Sequence, residues 1–119
     1  MALDFQAGDV LIFQIESGYA LLHVLAVDDA DGQPIWHLAA YADLFMDVDA
    51  ADEALGDVSK LSKSAEHLVL TNRAFESTQT ARMTNIPLSD EELRSIENWR
   101  STPDQIVSDR SVRLMLGLR

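Results

Sequence analysis

The sequence predicts an α+β domain, a small and strongly bent antiparallel sheet with one or two helices in its C-terminal third. Three observations carry this. Residues 10–41 hold three short apolar runs separated by Gly and Asp turn signals, the pattern of a strand meander. The stretch "LSDEELRSIENW", residues 88–99, has the polar opening and the apolar spacing of a capped amphipathic helix. A chain of 119 residues matches one hydrophobic core, typically about 100–150 residues, so strands and helix are expected to share a single domain.

Val10–Ile15 (VLIFQI) is β-branched and aromatic and follows the Gly8-Asp9 turn signal, so it reads as the first strand. Glu16, Ser17 and Gly18 turn the chain. Tyr19–Val27 (YALLHVLAV) is apolar on both alternating registers, as in a strand covered on both faces or curled into a small barrel. A helix competes for this stretch. Gly18 before it, "DDADGQP" after it and the strand-like Ile35–Tyr41 (IWHLAAY) beyond decide for a meander. Asp28, Asp29, Asp31 and Gly32 suit the hairpin, because Asp bonds its own backbone and Gly accepts positive φ.

From Asp43 to Ser64 the pattern loosens, and Leu55, Val58 and Leu61 mark one short helix within a loop. His67–Leu70 (HLVL) reads as a fourth strand, with a continuation through "TNRAF" to Phe75. Ser89 is placed as an N-cap with Glu92 as its capping-box partner, and Leu88 and Leu93 as a staple. Leu93, Ile96 and Trp99 form one apolar stripe, while Asp90, Glu91 and Glu92 match the positive end of the helix dipole. "TPDQ", Thr102–Gln105, predicts a second helix start with Pro103 at its first position. Val112, Leu114, Leu116 and Leu118 alternate with Ser111, Arg113, Met115 and Gly117, which favours a closing strand over a continued helix. Four or five strands and one helix make the architecture a bent antiparallel sheet or an SH3-like barrel with helix on one side.

Charge narrows the function classes. The net charge is −11, and residues 1–59 contain twelve acids with no Lys or Arg, whereas residues 60–119 carry nine basic and eight acidic residues. A field of this sign repels phosphate and favours cationic partners, so direct nucleic-acid and anionic-membrane binding are disfavoured. Solubility alone is the plain alternative, although it usually needs a net charge of only about 2–8. The apolar runs are too short to span a bilayer. The opening residues lack the pattern of an export signal, so a cytoplasmic location is expected. The absence of cysteine excludes disulfides, thiolate catalysis and cysteine-ligated zinc.

His23, His37 and His67 each fall on an expected strand, so a three-histidine metal site depends on register. With Asp28 opposite Gln33, His23 and His37 face opposite sides of the sheet, and a one-residue slip would bring them together. Half-buried strand histidines are the expected outcome, and no cofactor is expected. In "DVDAADE", Asp47 and Asp49 fit the first two places of a calcium loop, but Ala51 takes the third and Asp52 the glycine position, so the loop pattern fails. No G-x-S-x-G, glycine-rich phosphate cradle or Ser–His constellation is recognisable, and an enzyme is not the favoured reading. Arg73, Glu76, Gln79 and Arg82 would make a polar stripe on a helix; on strand and loop, Arg73 is expected in a structural ion pair. Aromatic anchors ringed by acid are what protein interfaces use, and either Tyr19 or Tyr41 is expected to be exposed.

With its Gly8-Asp9 turn and Gly18-Tyr19 pair, "AGDVLIFQIESGYALLHVLAVDD" resembles the start of SH3-like barrel proteins from bacteria, most of all immunity proteins that neutralise polymorphic toxins. The resemblance covers about the first forty residues and implies a non-enzymatic, toxin-binding role. The composite expectation is an acidic interaction module, immunity-like or antitoxin-like, that binds a basic protein through Tyr19, Asp28, Asp29, Asp31, Tyr41, Asp43 and Asp47. The alternatives are a small-ligand or metal-binding barrel with hydrolytic activity, and a component that dimerises through a sheet edge.

Overall fold

A computed structural model describes residues 5–118. The sheet has five antiparallel strands, β1 (Asp9–Ile15), β2 (Gly18–Ala30), β3 (Gln33–Tyr41), β4 (Lys63–Thr71) and β5 (Thr80–Asn85), in the order β4-β3-β2-β1-β5. Four helices accompany it: α1 (Val48–Ala54), α2 (Asn72–Glu76), α3 (Asp90–Arg100) and α4 (Val112–Leu116), with a single 3-10 turn at Val58–Lys60. The α+β class holds, but the sheet is open, with β4 and β5 at its edges, and does not close into a barrel.

Both faces are covered, which explains why β2 is apolar on both registers. On one face Leu11, Phe13, Leu22, Val24, Trp36 and Leu38 pack under Ala74 and Phe75 of α2 and Val112 of α4. Trp36 stacks on Phe75 with ring centroids 4.0 Å apart, and its indole N–H donates to Asn72 Oδ1 at 2.9 Å. That bond satisfies the one polar atom of the largest core side chain. On the other face Val10, Ile12, Leu21 and Tyr41 pack under Ala51 of α1. Farther along the same face, Leu25, Ala26 and Ala39 meet Ile96 of α3.

The hairpin between β2 and β3 turns on Asp31 (φ 53°) and Gly32 (φ 84°), a two-residue turn whose positive φ values match the twist of its strands. It closes with Ala30 opposite Gln33, and Asp28 opposite Ile35 rather than Gln33. A β-bulge at Leu25 then shifts the pairing, so that His23 lies opposite Ala39 and His37 opposite Ala26. Without the bulge His23 and His37 would face opposite sides, as the expected register had them. The extra residue reverses the alternation and puts both on the α3 face.

Four other expectations are corrected. The chain leaves β4 at Thr71, whose hydroxyl caps α2 by accepting from the Ala74 N–H, so "TNRAF" is helix rather than strand. Residues 102–110 hold no helix; Ser108 instead pairs beside β4 through backbone bonds with Val69 and Thr71. The alternating tail is α4, capped by Ser111 and ended by Gly117 at φ 69°, so the fifth strand lies at residues 80–85. The expected short helix near Leu55 and Val58 is divided between α1, which starts earlier at Val48, and the 3-10 turn.

Candidate functional site

Helix α3 is positioned by its own sequence. Ser89 Oγ accepts from the Glu92 N–H while Glu92 Oε1 accepts from the Ser89 N–H, the reciprocal pair of a capping box. The face turned to the sheet is Glu92, Ser95, Ile96 and Trp99; Leu93, expected in the buried stripe, is exposed. The i, i+3, i+4, i+7 spacing therefore holds with a different phase, and two polar residues point inward because the sheet offers them histidines.

Two polar networks result. In the first, buried His23 meets Glu92 Oε2 through Nδ1 at 3.0 Å and the Ile86 carbonyl through Nε2 at 2.9 Å. Both ring nitrogens therefore have a partner within hydrogen-bond distance. Lys63 Nζ donates to the same Glu92 oxygen at 3.1 Å. Burial works against the Glu92 charge, but bonds from the Ser89 N–H and Lys63 and the nearby His23 outweigh it and hold the carboxyl below its ordinary value.

The second network runs from β2 to α3. His37 Nε2 lies 3.0 Å from Asp28 Oδ2, His37 Nδ1 lies 2.8 Å from His67 Nε2, and His67 Nδ1 lies 2.9 Å from Ser95 Oγ. With Asp28 ionised and both rings neutral, one proton order satisfies every contact. Ser95 donates to His67, His67 donates to His37, and His37 donates to Asp28. Arg100 Nη2 donates to Asp28 Oδ1 at 2.5 Å and closes the far end. Burial opposes the Asp28 charge, yet Arg100 and His37 hold its carboxyl below the usual range. Trp99 packs edge-on against His37, with ring centroids 4.8 Å apart.

This relay resembles a nucleophile–base chain, but its base is poorly matched to catalysis. Burial and the neighbouring His37 push the His67 imidazole down to about 4. A general base works best with a value near the operating pH. The relay fits a tether better, joining α3 to β2, β3 and β4. Its pH signature follows from the sign of the shift. The folded state keeps His67 neutral while the unfolded ring takes up a proton near its ordinary 6.5. The stability is therefore complete above that pH and is lost as pH falls from 6.5 towards about 4. For a half-buried ring the loss is expected to be about 1–2 kcal/mol after solvent screening. Urea midpoints measured from pH 7 to pH 4 in the native chain and in His67→Gln check this: the variant's acid-side slope should be the shallower.

The three histidines do share one face, yet they form a His37–His67 pair and a separate His23–Glu92 pair. Among the described residues no group of three or more His, Asp or Glu side chains is arranged to hold a metal ion. Arg73 lies on helix α2 rather than on strand or loop, and pairs with Asp109.

The residues expected to meet a partner do not converge. Asp28 is engaged by Arg100 and His37. Asp29 and Asp31 are exposed at the hairpin tip. Asp43 and Asp47 lie beyond the other end of β3, so roughly 27 Å of strand separates the two groups, at about 3.4 Å per residue. Tyr41 is only 6% exposed and Tyr19 is half-buried, because both alternate inward beneath α1 and its flanking loop. Asp43 accepts from the Ser62 N–H and Asp47 caps α1 by accepting from the Ala50 N–H.

The acid of the Asp43–Asp57 segment is expected from the sequence to form part of a docking face, but the apolar residues exposed beside it are not. Leu44, Met46 and Val48 are 50%, 82% and 43% exposed, amid exposed Asp47, Asp49, Asp52 and Glu53. Beside them is a cavity of about 480 Å³ whose lining includes Asp43, Phe45, Glu53, Asp57, Lys60 and Leu61. The signal was present in "DLFMDVDAADE", where large apolar residues interleave with acids outside any strand. The segment is pinned to the sheet by two backbone bonds between Tyr19 and Phe45, at 2.8 and 2.9 Å. No family model, curated protein or solved structure shows significant similarity to this chain.

Proposed function

We propose that this chain is an acidic protein-interaction module of the immunity or antitoxin kind, which docks a basic protein on the face formed by residues 43–57. The observation that carries this reading is the exposure of Leu44, Met46 and Val48 in the same segment as exposed Asp47, Asp49, Asp52 and Glu53, in a half-chain that contains no Lys or Arg before residue 60. Apolar groups at the centre of such a patch gain by leaving water, and the surrounding charge steers a cationic partner and selects against anionic ones. Asp29 and Asp31, at the far end of the hairpin, contribute to long-range attraction rather than to contact.

The test is affinity capture from native cells with the immobilised chain, followed by identification of the retained protein. A basic protein should be retained at low salt and released as ionic strength rises. Leu44→Ala combined with Met46→Ala should weaken retention by about tenfold or more, since truncating a central anchor costs on the order of 1–2 kcal/mol or more. Asp49→Asn with Asp52→Asn and Glu53→Gln should chiefly slow association. An acidic partner, or retention that is indifferent to both variants while their thermal transitions match the native one, would refute the proposal.

A further inference from the structure

A second cavity lies on the same side of the sheet, between the 3-10 turn, the start of β4 and the N-terminal turn of α3. It has a volume of about 480 Å³, within the roughly 300–1,000 Å³ of binding pockets. We propose that it receives an arginine side chain of the basic partner, with the guanidinium held between Glu66, Glu91 and the hydroxyl of Tyr41. This rests on the reading of the chain as a binder of basic protein and names what the partner inserts.

The carboxylates of this cavity are unequal. Glu92 is saturated: Ser89 N–H on one oxygen, Lys63 and His23 on the other. Glu66 and Glu91 also line the cavity, are exposed, and make no ion pair among the described residues. Their two charges outweigh the half positive charge that α3 contributes at its N-terminus, and Lys63, which also lines the cavity, is paired with Glu92.

Tyr41 supplies the independent observation. Its ring is more than nine-tenths buried in the core beneath α1. Its hydroxyl has no hydrogen-bond partner among the described residues, and it is not among the polar atoms sealed from solvent. The residue lines the cavity, so the hydroxyl is presented to whatever enters. A buried tyrosine ordinarily finds a partner for this group. Here that partner is solvent or a group that enters the cavity.

Arginine suits the arrangement better than a compact ammonium. The three acceptors come from β3, β4 and α3, so they approach from different directions, and a planar guanidinium carries five donors in a fixed fork. Leu61, Ile86 and Pro87 line the same space and offer apolar surface for the aliphatic stem. Leu61 also lines the cavity beside α1, so the two cavities share a wall.

The experiment is an amide-resolved NMR titration of the full chain at low salt with N-acetyl-arginine methylamide, and with N-acetyl-norleucine methylamide and N-acetyl-aspartate methylamide as comparisons. Saturable shifts around Tyr41, Glu66 and Glu91 with an affinity on the order of millimolar are expected for the arginine probe alone. Glu66→Gln with Glu91→Gln should weaken binding about tenfold, and Tyr41→Phe about threefold or more, with thermal transitions retained. Equal binding of the norleucine or aspartate probe, no saturable shift, or indifference to these variants overturns the proposal. The two readings fail separately. Capture that depends on Leu44 and Met46 but not on Glu66 and Glu91 removes only the arginine site, whereas arginine binding without any captured basic protein removes the wider role.

Discussion

Replacing Glu92 by alanine is expected to destabilise the chain by about 2–5 kcal/mol, the summed cost of a lost helix cap and of a buried donor or acceptor left without its partner. For a domain of this size that corresponds to a fall in Tm of roughly 10–20 °C. The magnitude follows from how many groups lose a partner at once. His23 Nδ1 is left buried and without its acceptor, the Ser89 N–H loses its capping bond, and Lys63 loses its carboxylate. Glu92→Gln separates the contributions, because its amide oxygen can still accept from Ser89 while the charge is gone; it should retain part of the loss. A calorimetric comparison of the two variants at pH 7 decides. Acid titration adds a signature. A carboxyl held below its ordinary 4.5 contributes stability above that pH and loses it as pH falls through the folded value. Both variants should therefore lose less stability than the native chain below about pH 4.5. A cost under 1 kcal/mol for Glu92→Ala would mean that this carboxylate does not organise the end of α3.

Much of the architecture is legible in the sequence because its signals are local. The Asp31-Gly32 turn, the Ser89 cap with Glu92, and the three apolar runs each state their structure within a few residues. What escapes is non-local or compensated. The bulge at Leu25 leaves no mark in an unbroken apolar run, yet it decides which face His23 takes and hence whether three histidines can lie under one helix. Strand β5 (TARMTN) is at an edge with both faces largely open, so it shows little apolar alternation. The tail alternates as a strand would, but Ser111 and Gly117 cap both ends of a five-residue helix and override that period. Apolarity alone selects Leu93, Ile96 and Trp99 as the inward face of α3, but polar side chains share that face. Glu92, Ser95 and Trp99 are also at helical spacing, and their partners were histidines from three different strands. The acid-rich half of the chain likewise reads as one surface until the length of β3 divides it in two.

The division gives the segment before α1 a particular role, and Gly18 controls it. Gly18 has φ 153°, and a Cβ built there would lie 2.3 Å from the carbonyl oxygen of Phe45. That carbonyl accepts the Tyr19 N–H, and the Phe45 N–H returns a bond to Tyr19. Gly18→Ala must therefore push the segment off the sheet, losing two backbone bonds of about 1 kcal/mol each in addition to about 1–3 kcal/mol of backbone strain. The expected cost is about 3–5 kcal/mol. Because Leu44, Met46 and Val48 are carried by this segment, retention of a basic partner should fall in the variant even where folding is complete. Gly32→Ala is the matched comparison, since Gly32 also has positive φ but its added Cβ meets nothing within 4 Å. It should cost about 1–3 kcal/mol from strain alone and leave binding intact. Denaturant titration with parallel capture assays distinguishes the two. Equal losses of binding in both glycine variants would show that the contact between Gly18 and Phe45 does not set the docking face.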